Sequence, residues 1–286
     1  MSNRKKLQDL TIRDNFMFAA VMMQDDNCRH FLEMVLGIEI ERVVVSYEKS
    51  IIYNPDYKGI RLDVYARDEF NTCYDVEMQV EKDNLGKRTR YYHSHMDMEL
   101  LESGERYETL PGSYVIFVCD FDPFDRKKYC YTFENRCLED LDLGLKDGSR
   151  SIFLSTKGKS GDKIPIGLKA FLDFVDKDTE SNDMESEDAY VKQIQKTIRS
   201  IKESREMEHR FQGAWATSEY NRGKVEGNLQ AKRDAVLELL EEYGNIPQSV
   251  HERVWAESDV DVLKRMHKAA AKSDSIEQFE EKIANL

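Results

Sequence analysis

Two neighbouring segments in which apolar and polar residues alternate constrain the fold of this chain most strongly. In residues 60–66, and again in residues 74–80, apolar side chains occupy every second position. This period of two is typical of a β-strand with one face on a hydrophobic core. The intervening residues 67–72 are few enough for a hairpin, so we predict two antiparallel strands in direct succession.

The alternation also fixes how the two strands pair. Placing Val64 opposite Val76 keeps both apolar sets on one face, whereas a shift by one residue would separate them. The same register places Asp63 directly opposite Glu77 on the other face. We therefore expect two carboxylates to face each other across the strand pair.

Facing carboxylates repel each other unless positive charge lies close to both. A hard divalent cation held by oxygen ligands would supply that charge. The alternative is that Asp63 and Glu77 lie on the solvated face of an ordinary hairpin, where Arg61 and neighbouring lysines balance their charge. The alternation alone leaves both interpretations open.

The segments around the hairpin predict the order α–β–β–β–α–β. Apolar residues at helical spacing stop before Gly37, and glycine commonly follows the end of a helix. A segment without proline and rich in helix-forming residues follows the third predicted strand. The predicted elements are helical pieces in 14–36, strands Val43–Ile52, Ile60–Arg67 and Cys73–Glu81, a helix Lys87–Tyr107, and strands Tyr114–Cys119, Tyr129–Phe133 and Ser151–Leu154.

The composition changes after about Phe174. An acidic run in 176–188 predicts a linker, and only helical periodicity follows it. The helices predicted there are Ala189–Gln212, Lys224–Tyr243, Gln248–Glu257, Val260–Ala271 and Ile276–Ile283. We therefore predict an α/β domain in 1–175, an acidic linker in 176–188 and a charged all-α region in 189–286.

Charge and motif content exclude several classes of protein. The net charge of −13 is too acidic for general phosphate neutralisation, so any binding of nucleic acid requires a local basic patch. The absence of H-E-x-x-H, a Walker-type glycine loop and G-x-S-x-G excludes zinc proteases, P-loop NTPases and serine hydrolases. The five cysteines include no C-x-x-C pair, and we find neither a secretory signal nor an apolar run of membrane-spanning length. We therefore expect reduced thiols, no membrane association and a cytoplasmic location.

Five short segments follow one another in an informative order: Arg13–Phe18, Leu62–Val64, Val76–Gln79, Lys87–Tyr92 and Gly104–Leu110. Together they place an Asp on one strand and Glu-x-Gln on the next, after a leading helix and before a helix and a strand. This order, within about residues 10–120, resembles the PD-(D/E)xK nuclease superfamily. The resemblance is closer to its Rpn-type recombination-promoting nucleases, a branch that includes transposases of this class.

The resemblance implies a restriction-endonuclease-like αβββαβ core with a mixed sheet, here followed by an all-α C-terminal region. It also implies that Asp63, Glu77 and Gln79 are catalytic, with Asp63 and Glu77 holding Mg²⁺, for which Mn²⁺ can substitute. In the superfamily the residue two positions after the Glu is usually Lys. Gln79 can hydrogen-bond a water molecule there but brings no positive charge. The implied activity is that of a metal-dependent DNA endonuclease that hydrolyses phosphodiester bonds and is linked to recombination.

DNA is the partner that this activity implies. The predicted DNA-binding residues are the best local basic patch and one tyrosine beside it: Lys82, Lys87, Arg88, Arg90 and Tyr92. The alternative is that they form an ordinary solvated helix start. Gln79 and the net negative charge favour a second function, a catalytically weak or inactive nuclease fold that serves as a DNA-binding or assembly module. A third possibility assigns homo-oligomerisation to the helical tail.

Overall fold

The computed structural model describes residues 5–51, 59–159, 163–177 and 186–284, apart from the side chains of 47–49. The chain divides into two compact units, Met1–Glu208 and His209–Leu286, and each is described by itself.

The first unit is an α/β structure. Its helices are α1 (Asn15–Met22), α2 (Asp25–Leu36), α3 (Leu85–Leu100), α4 (Ile166–Asp176) and α5 (Ala189–Glu203). Its strands are β1 (Val43–Ile51), β2 (Ile60–Asp68), β3 (Cys73–Gln79), β4 (Ser113–Cys119), β5 (Cys130–Phe133) and β6 (Ser149–Ser155). The predicted αβββαβ order is confirmed.

The six strands form one mixed sheet in the order β1-β2-β3-β4-β6-β5. β1, β2 and β3 are antiparallel neighbours, β3, β4 and β6 run parallel, and β5 pairs antiparallel with β6. The carboxyl ends of β3, β4 and β6 therefore lie side by side at one edge of the sheet. This arrangement confirms the predicted α/β class with a mixed sheet.

The predicted register of the hairpin is confirmed, because Val64 pairs with Val76 and Tyr65 pairs with Asp75. The alternative of a solvated polar face is wrong for β3, since every residue of that strand is buried, whereas on β2 Arg61 is exposed and Asp63 is half-buried. Helix α3 covers this face, and the ring of Tyr92 packs 6.4 Å from the ring of Phe117 on β4. Both faces of β3 therefore lie in the interior.

The remaining helices of this unit extend it beyond the predicted domain boundary. The ring of Phe171 in α4 packs against Phe31 of α2 and against Tyr190 of α5. The Tyr190 hydroxyl also donates to the carbonyl of Asn27 over 3.0 Å. Because α5 packs in this way, the first unit continues to Glu208 rather than 175. Most of the predicted acidic linker, residues 178–185, lies outside the described residues.

Two predicted helices end earlier than expected, and the predicted helix Lys224–Tyr243 is part of a longer helix. Helix α3 ends at Leu100 rather than Tyr107, because Leu101 is extended and Gly104 has a φ of 95°, in the left-handed region that favours glycine. The predicted helix Ala189–Gln212 breaks at Ser204, whose backbone is extended and whose hydroxyl accepts from the Met207 N–H over 3.3 Å. A new helix, α6 (Arg205–Glu241), begins directly after this serine.

The second unit is helical throughout its described residues. It contains most of α6, together with α7 (Gln248–Ala256), α8 (Val260–Ala270) and α9 (Ile276–Ile283). The side chains of Leu240, Val254, Leu263, Phe279 and Ile283 share one buried cluster. This confirms an all-α C-terminal region.

The five cysteines are free, and Cys28, Cys73 and Cys119 are buried. Across the described part of the chain, no helix has both the length and the apolarity required to cross a membrane.

Candidate active site

The polar face of the β2–β3 hairpin carries three carboxylates. The register places Asp63 beside Glu77, and Asp75 lies two residues before Glu77 on the same face. Asp75 and Glu77 are fully buried, whereas Asp63 is half-buried. The Asn15 side-chain amide, at the start of α1, donates to Asp63 Oδ2 over 3.3 Å and ties this carboxylate to the helix.

The buried carboxylates are short of partners. Both oxygens of Asp75 and Oε1 of Glu77 have no hydrogen-bond partner in the part of the chain that the structure describes. Burial raises the pKa of Glu77 to about 8, and the negative charge of Asp63 adds to the effect while Arg88 opposes it. Burial likewise raises the pKa of Asp75 well above its usual range, with Glu77 and Asp63 contributing. The protein therefore concentrates negative charge at a place where the charged forms are disfavoured.

Arg88, on the second turn of α3, brings positive charge to this cluster. Its Nη2 donates to Glu77 Oε2, and its Nη1 donates to Gln79 Oε1 over 2.9 Å. Its Nε donates to the Tyr92 hydroxyl over 2.7 Å, one helical turn later. Its guanidinium also lies 5.5 Å from the centre of the Phe117 ring. Four side chains therefore hold the Arg88 guanidinium in place, and its positive charge lies next to Glu77 and Gln79.

Gln79 lies at the end of β3 and is nearly buried. While its amide oxygen accepts from Arg88, its amide nitrogen donates to the carbonyl of Glu81 over 2.6 Å. Gln79 therefore joins the end of β3 to α3 through Arg88. The position where the superfamily usually has a lysine thus carries a neutral side chain in contact with a guanidinium.

The predicted DNA-binding residues separate into two groups. Arg88 and Tyr92 belong to the carboxylate cluster, and Tyr92 is buried. Lys82, Lys87 and Arg90 are exposed around the start of α3. The helix begins with the Asn84 side chain accepting from the Lys87 N–H over 3.2 Å, so Lys87 lies on a capped first turn, Lys82 lies before the helix and Arg90 lies in the second turn.

The sequence predictions missed Asp75 as a site residue, although the signal was present. Asp75 has the same parity as Glu77 and Gln79, so it had to share their face. Its burial could not be predicted, because that depends on α3 lying over the hairpin. The ion pair between Arg13 and Asp120 was also missed; it joins the segment before α1 to the end of β4.

The donor chemistry of this cluster fits a hard divalent cation. Carboxylate oxygens are the ligands that Mg²⁺ prefers, and three oxygens of Asp75 and Glu77 are buried without a hydrogen-bond partner from any described residue. Within the described ranges, however, no three His, Cys, Asp or Glu side chains are already arranged to hold an ion. A bound cation would therefore require these carboxylates to converge, and Glu77 Oε2 would have to be shared with or released by Arg88.

Comparison with known proteins gives one match. A family model described as "PD-(D/E)XK nuclease family transposase" matches residues 16–212, which is more than half of the chain and includes every residue of the cluster. No curated protein and no solved structure matches the chain.

Proposed function

Because the chain belongs to the PD-(D/E)XK nuclease family transposases, we propose that it is a Mg²⁺-dependent DNA endonuclease that hydrolyses phosphodiester bonds and acts in recombination. The observation that carries this proposal is the cluster of Asp63, Asp75 and Glu77, in which Asp75 and Glu77 are fully buried and three of their oxygens lack hydrogen-bond partners among the described residues. A purely structural core gains nothing from three neighbouring carboxylates, since each costs free energy on burial.

Asp63 and Glu77 would hold the cation, and Asp75 lies close enough in the register to support them. When bound, Mg²⁺ would activate a water molecule and stabilise the charge that develops on the phosphate. Mn²⁺ is expected to substitute, because it also accepts oxygen ligands.

Arg88 and Gln79 would orient the reacting groups. The guanidinium of Arg88 contacts both Glu77 and Gln79, so it provides positive charge next to the position where the superfamily usually has lysine. Preorganised positive charge of this kind stabilises a phosphate more strongly in a buried site than in water. Gln79 would position Arg88 and present its remaining amide hydrogen to a water molecule.

The exposed residues at the start of α3 would contact the DNA backbone. Lys82, Lys87 and Arg90 are solvent-accessible near the carboxylates and can meet phosphate groups. With a net charge of −13, the protein is expected to bind DNA locally rather than to attract it from a distance.

Plasmid nicking tests the proposal. Purified protein is incubated with supercoiled DNA in Mg²⁺, in Mn²⁺ and in EDTA, and the Asp63→Ala variant is compared with Asp142→Ala, which removes an exposed carboxylate outside the cluster. We expect nicking by the wild type and Asp142→Ala with either cation, and none in EDTA or with Asp63→Ala. Equal nicking by the wild type and Asp63→Ala would contradict the assignment.

The alternative function is a catalytically weak or inactive nuclease fold that binds DNA or assembles with other proteins. Gln79 favours this alternative, because its side chain is neutral and its amide already donates to the Glu81 carbonyl and accepts from Arg88. DNA binding without nicking in either cation would support this function over the first.

Self-association through the helical tail is a separate proposal. On α6, the side chains of Tyr220 and Val225 are exposed, as is every residue from 220 to 228, so this stretch of the helix is open to contact with a second copy of the chain. Light scattering of the whole chain should give a mass above that of one chain, and Tyr220→Ser with Val225→Ser should reduce it. A monomeric mass for the wild type would refute this proposal.

A further inference from the structure

Two basic segments far apart in the sequence lie next to each other at the carboxyl edge of the parallel strands. Arg126, Lys127 and Lys128 follow β4, and Lys157 and Lys159 follow β6. The Lys159 N–H donates to the carbonyl of Lys127 over 2.9 Å, so the two loops are joined directly. All five side chains are exposed.

The packing of a tyrosine on a glycine holds the two loops together. Tyr129 is buried, and its carbonyl accepts from the Ser155 N–H over 2.9 Å. A Cβ atom on Gly158 would lie only 2.2 Å from Cγ of Tyr129, so the ring rests on the glycine backbone. The sequence Lys-Gly-Lys can therefore follow this path only with glycine in the middle.

Most acidic residues near these two loops already pair with, or accept hydrogen bonds from, other groups. Asp120 pairs with Arg13, and Asp122 accepts from the Lys127 N–H over 2.6 Å and from the Tyr131 hydroxyl over 2.7 Å. Lys157 pairs with Asp176, and Asp125 is exposed within the same loop. The side chains of three basic residues make no ion pair with any residue of the described chain: Arg126, Lys127 and Lys159.

Backbone hydrogen bonds connect these loops to the carboxylate cluster. The Asp120 N–H donates to the Gln79 carbonyl over 3.2 Å, and the Thr156 N–H donates to the Cys119 carbonyl over 3.0 Å. The ends of β3, β4 and β6 are therefore consecutive, so the end of β6 lies two strand spacings, or roughly 10 Å, from Gln79. About three nucleotides of one DNA strand cover that distance at about 3.4 Å each.

We propose that Arg126, Lys127 and Lys159 form a second DNA-binding surface, which holds backbone phosphates of the strand that passes over the carboxylate cluster. The inference rests on the proposed function for its choice of ligand. It differs from the basic patch at the start of α3, since it lies beyond the ends of β4 and β6. These three cations, which form no ion pair within the described ranges, would bind consecutive backbone phosphates and so align the strand with the site without reading the base sequence.

The test measures binding rather than cleavage. Fluorescence anisotropy of a labelled DNA duplex in EDTA is recorded at several salt concentrations for the wild type and for Lys127→Gln/Lys159→Gln. The control is Lys146→Gln/Arg106→Gln, which also removes two positive charges, but from the segments before β4 and β6, at the opposite edge of the sheet. Lys146 matches Lys127 because both residues have a positive φ. We expect about tenfold weaker binding by the first pair, with a salt slope lower by about two, and less than a twofold change in the control.

Three results would refute the proposed DNA-binding surface. They are no DNA binding by the wild type, equal losses of DNA affinity in the test pair and the control pair, or tighter binding of an RNA duplex than of a DNA duplex. Should the first pair unfold, Arg126→Gln against Lys146→Gln provides a single-charge comparison, with a salt slope lower by about one for Arg126→Gln only. The Arg126 side chain is exposed and makes no ion pair within the described residues. Wild-type protein that binds through these residues but does not nick plasmid would uphold the surface and refute the proposed function. Nicking by the wild type, with unaltered binding by the first pair, would refute only the surface.

Discussion

The guanidinium of Arg88 lies against the buried carboxylate of Glu77, eleven residues earlier in the chain, and the same guanidinium holds the amide oxygen of Gln79. This contact places a permanent positive charge where three carboxylates meet. It also gives Arg88 two effects that can be measured separately, since it would assist phosphate binding but compete with a cation for Glu77.

Replacing Arg88 with methionine should separate these effects. We expect plasmid cleavage to fall by about 10²-fold, because preorganised positive charge is lost from the site. Mn²⁺ affinity, measured by calorimetry, should rise because Glu77 Oε2 is released. Arg88→Lys keeps the positive charge, so its cleavage rate and its Mn²⁺ affinity should lie between those of the wild type and Arg88→Met. Unchanged cleavage and Mn²⁺ affinity in Arg88→Met would show that the contact is only structural.

Replacing Gln79 with lysine should reveal whether the site is assembled. An ammonium group at this position would lie near Glu77 and would displace Arg88, whose Nη1 donates to the Gln79 amide oxygen in the wild type. We expect the ammonium group to raise the nicking rate by about tenfold or more through charge stabilisation. Gln79→Met serves as the neutral control of similar length. A lysine variant no faster than the wild type would favour the binding or assembly function.

Asp75 should matter for cation binding more than for folding. Asp75→Asn keeps the shape of the side chain but removes its ability to ionise, so we expect about tenfold weaker Mn²⁺ binding and a thermal midpoint no lower than that of the wild type. The control is Asp97→Asn on α3, since Asp97 is also a carboxylate with a raised pKa, due mainly to burial. Equal cation affinities for the two variants would remove Asp75 from the site.

His93 should make the stability of the protein depend on pH. Its Nδ1 lies 2.9 Å from the Ser113 hydroxyl and its Nε2 lies 3.1 Å from the Ser151 hydroxyl; burial lowers its pKa to about 4, and the charge of Asp147 partly opposes this. The unfolded chain therefore binds a proton on His93 near pH 6.5, whereas the folded protein binds it only near pH 4.

Stability from this histidine is consequently complete above pH 6.5 and is lost as the pH falls toward 4, by on the order of 3 kcal/mol. Urea unfolding of the wild type and of His93→Gln across this range measures the effect. Asp97, which hydrogen-bonds to Ser113, and Asp147 are kept in both proteins, so the difference between the two curves reports His93 together with the charge of Asp147 that acts on it. Parallel stability curves for the two proteins would refute the prediction.

Gly158→Ala should destabilise the first unit. The added Cβ would lie 2.2 Å from Cγ of Tyr129, so the loop or the ring must move, at a cost of about 2 kcal/mol or more. Gly86→Ala in α3 is the matched control in the same unit, because no described atom lies within 4 Å of its Cβ position and alanine favours a helix by up to about 1 kcal/mol. Thermal unfolding should therefore move in opposite directions for the two variants, and a neutral Gly158→Ala would contradict the observed packing.

The sequence by itself determined the central strand pair. A period of two assigns each side chain of a strand to one face or the other. Only the register that pairs Val64 with Val76, or a shift of it by two residues, keeps the apolar side chains of both strands together. The position of Asp63 beside Glu77 follows from that register, and the shared parity of Asp75 was equally readable. These are local properties, set by the backbone geometry of adjacent segments.

Only the tertiary structure decided what surrounds this pair. Whether the polar face meets water depends on where α3 packs, and that helix both buries Asp75 and delivers Arg88 to Glu77. Likewise, Lys127 and Lys159 become neighbours because β4 and β6 are parallel and adjacent, which no local pattern encodes. Burial and contacts between distant segments depend on how whole elements pack, so the charge environment of the site could be known only from the folded chain.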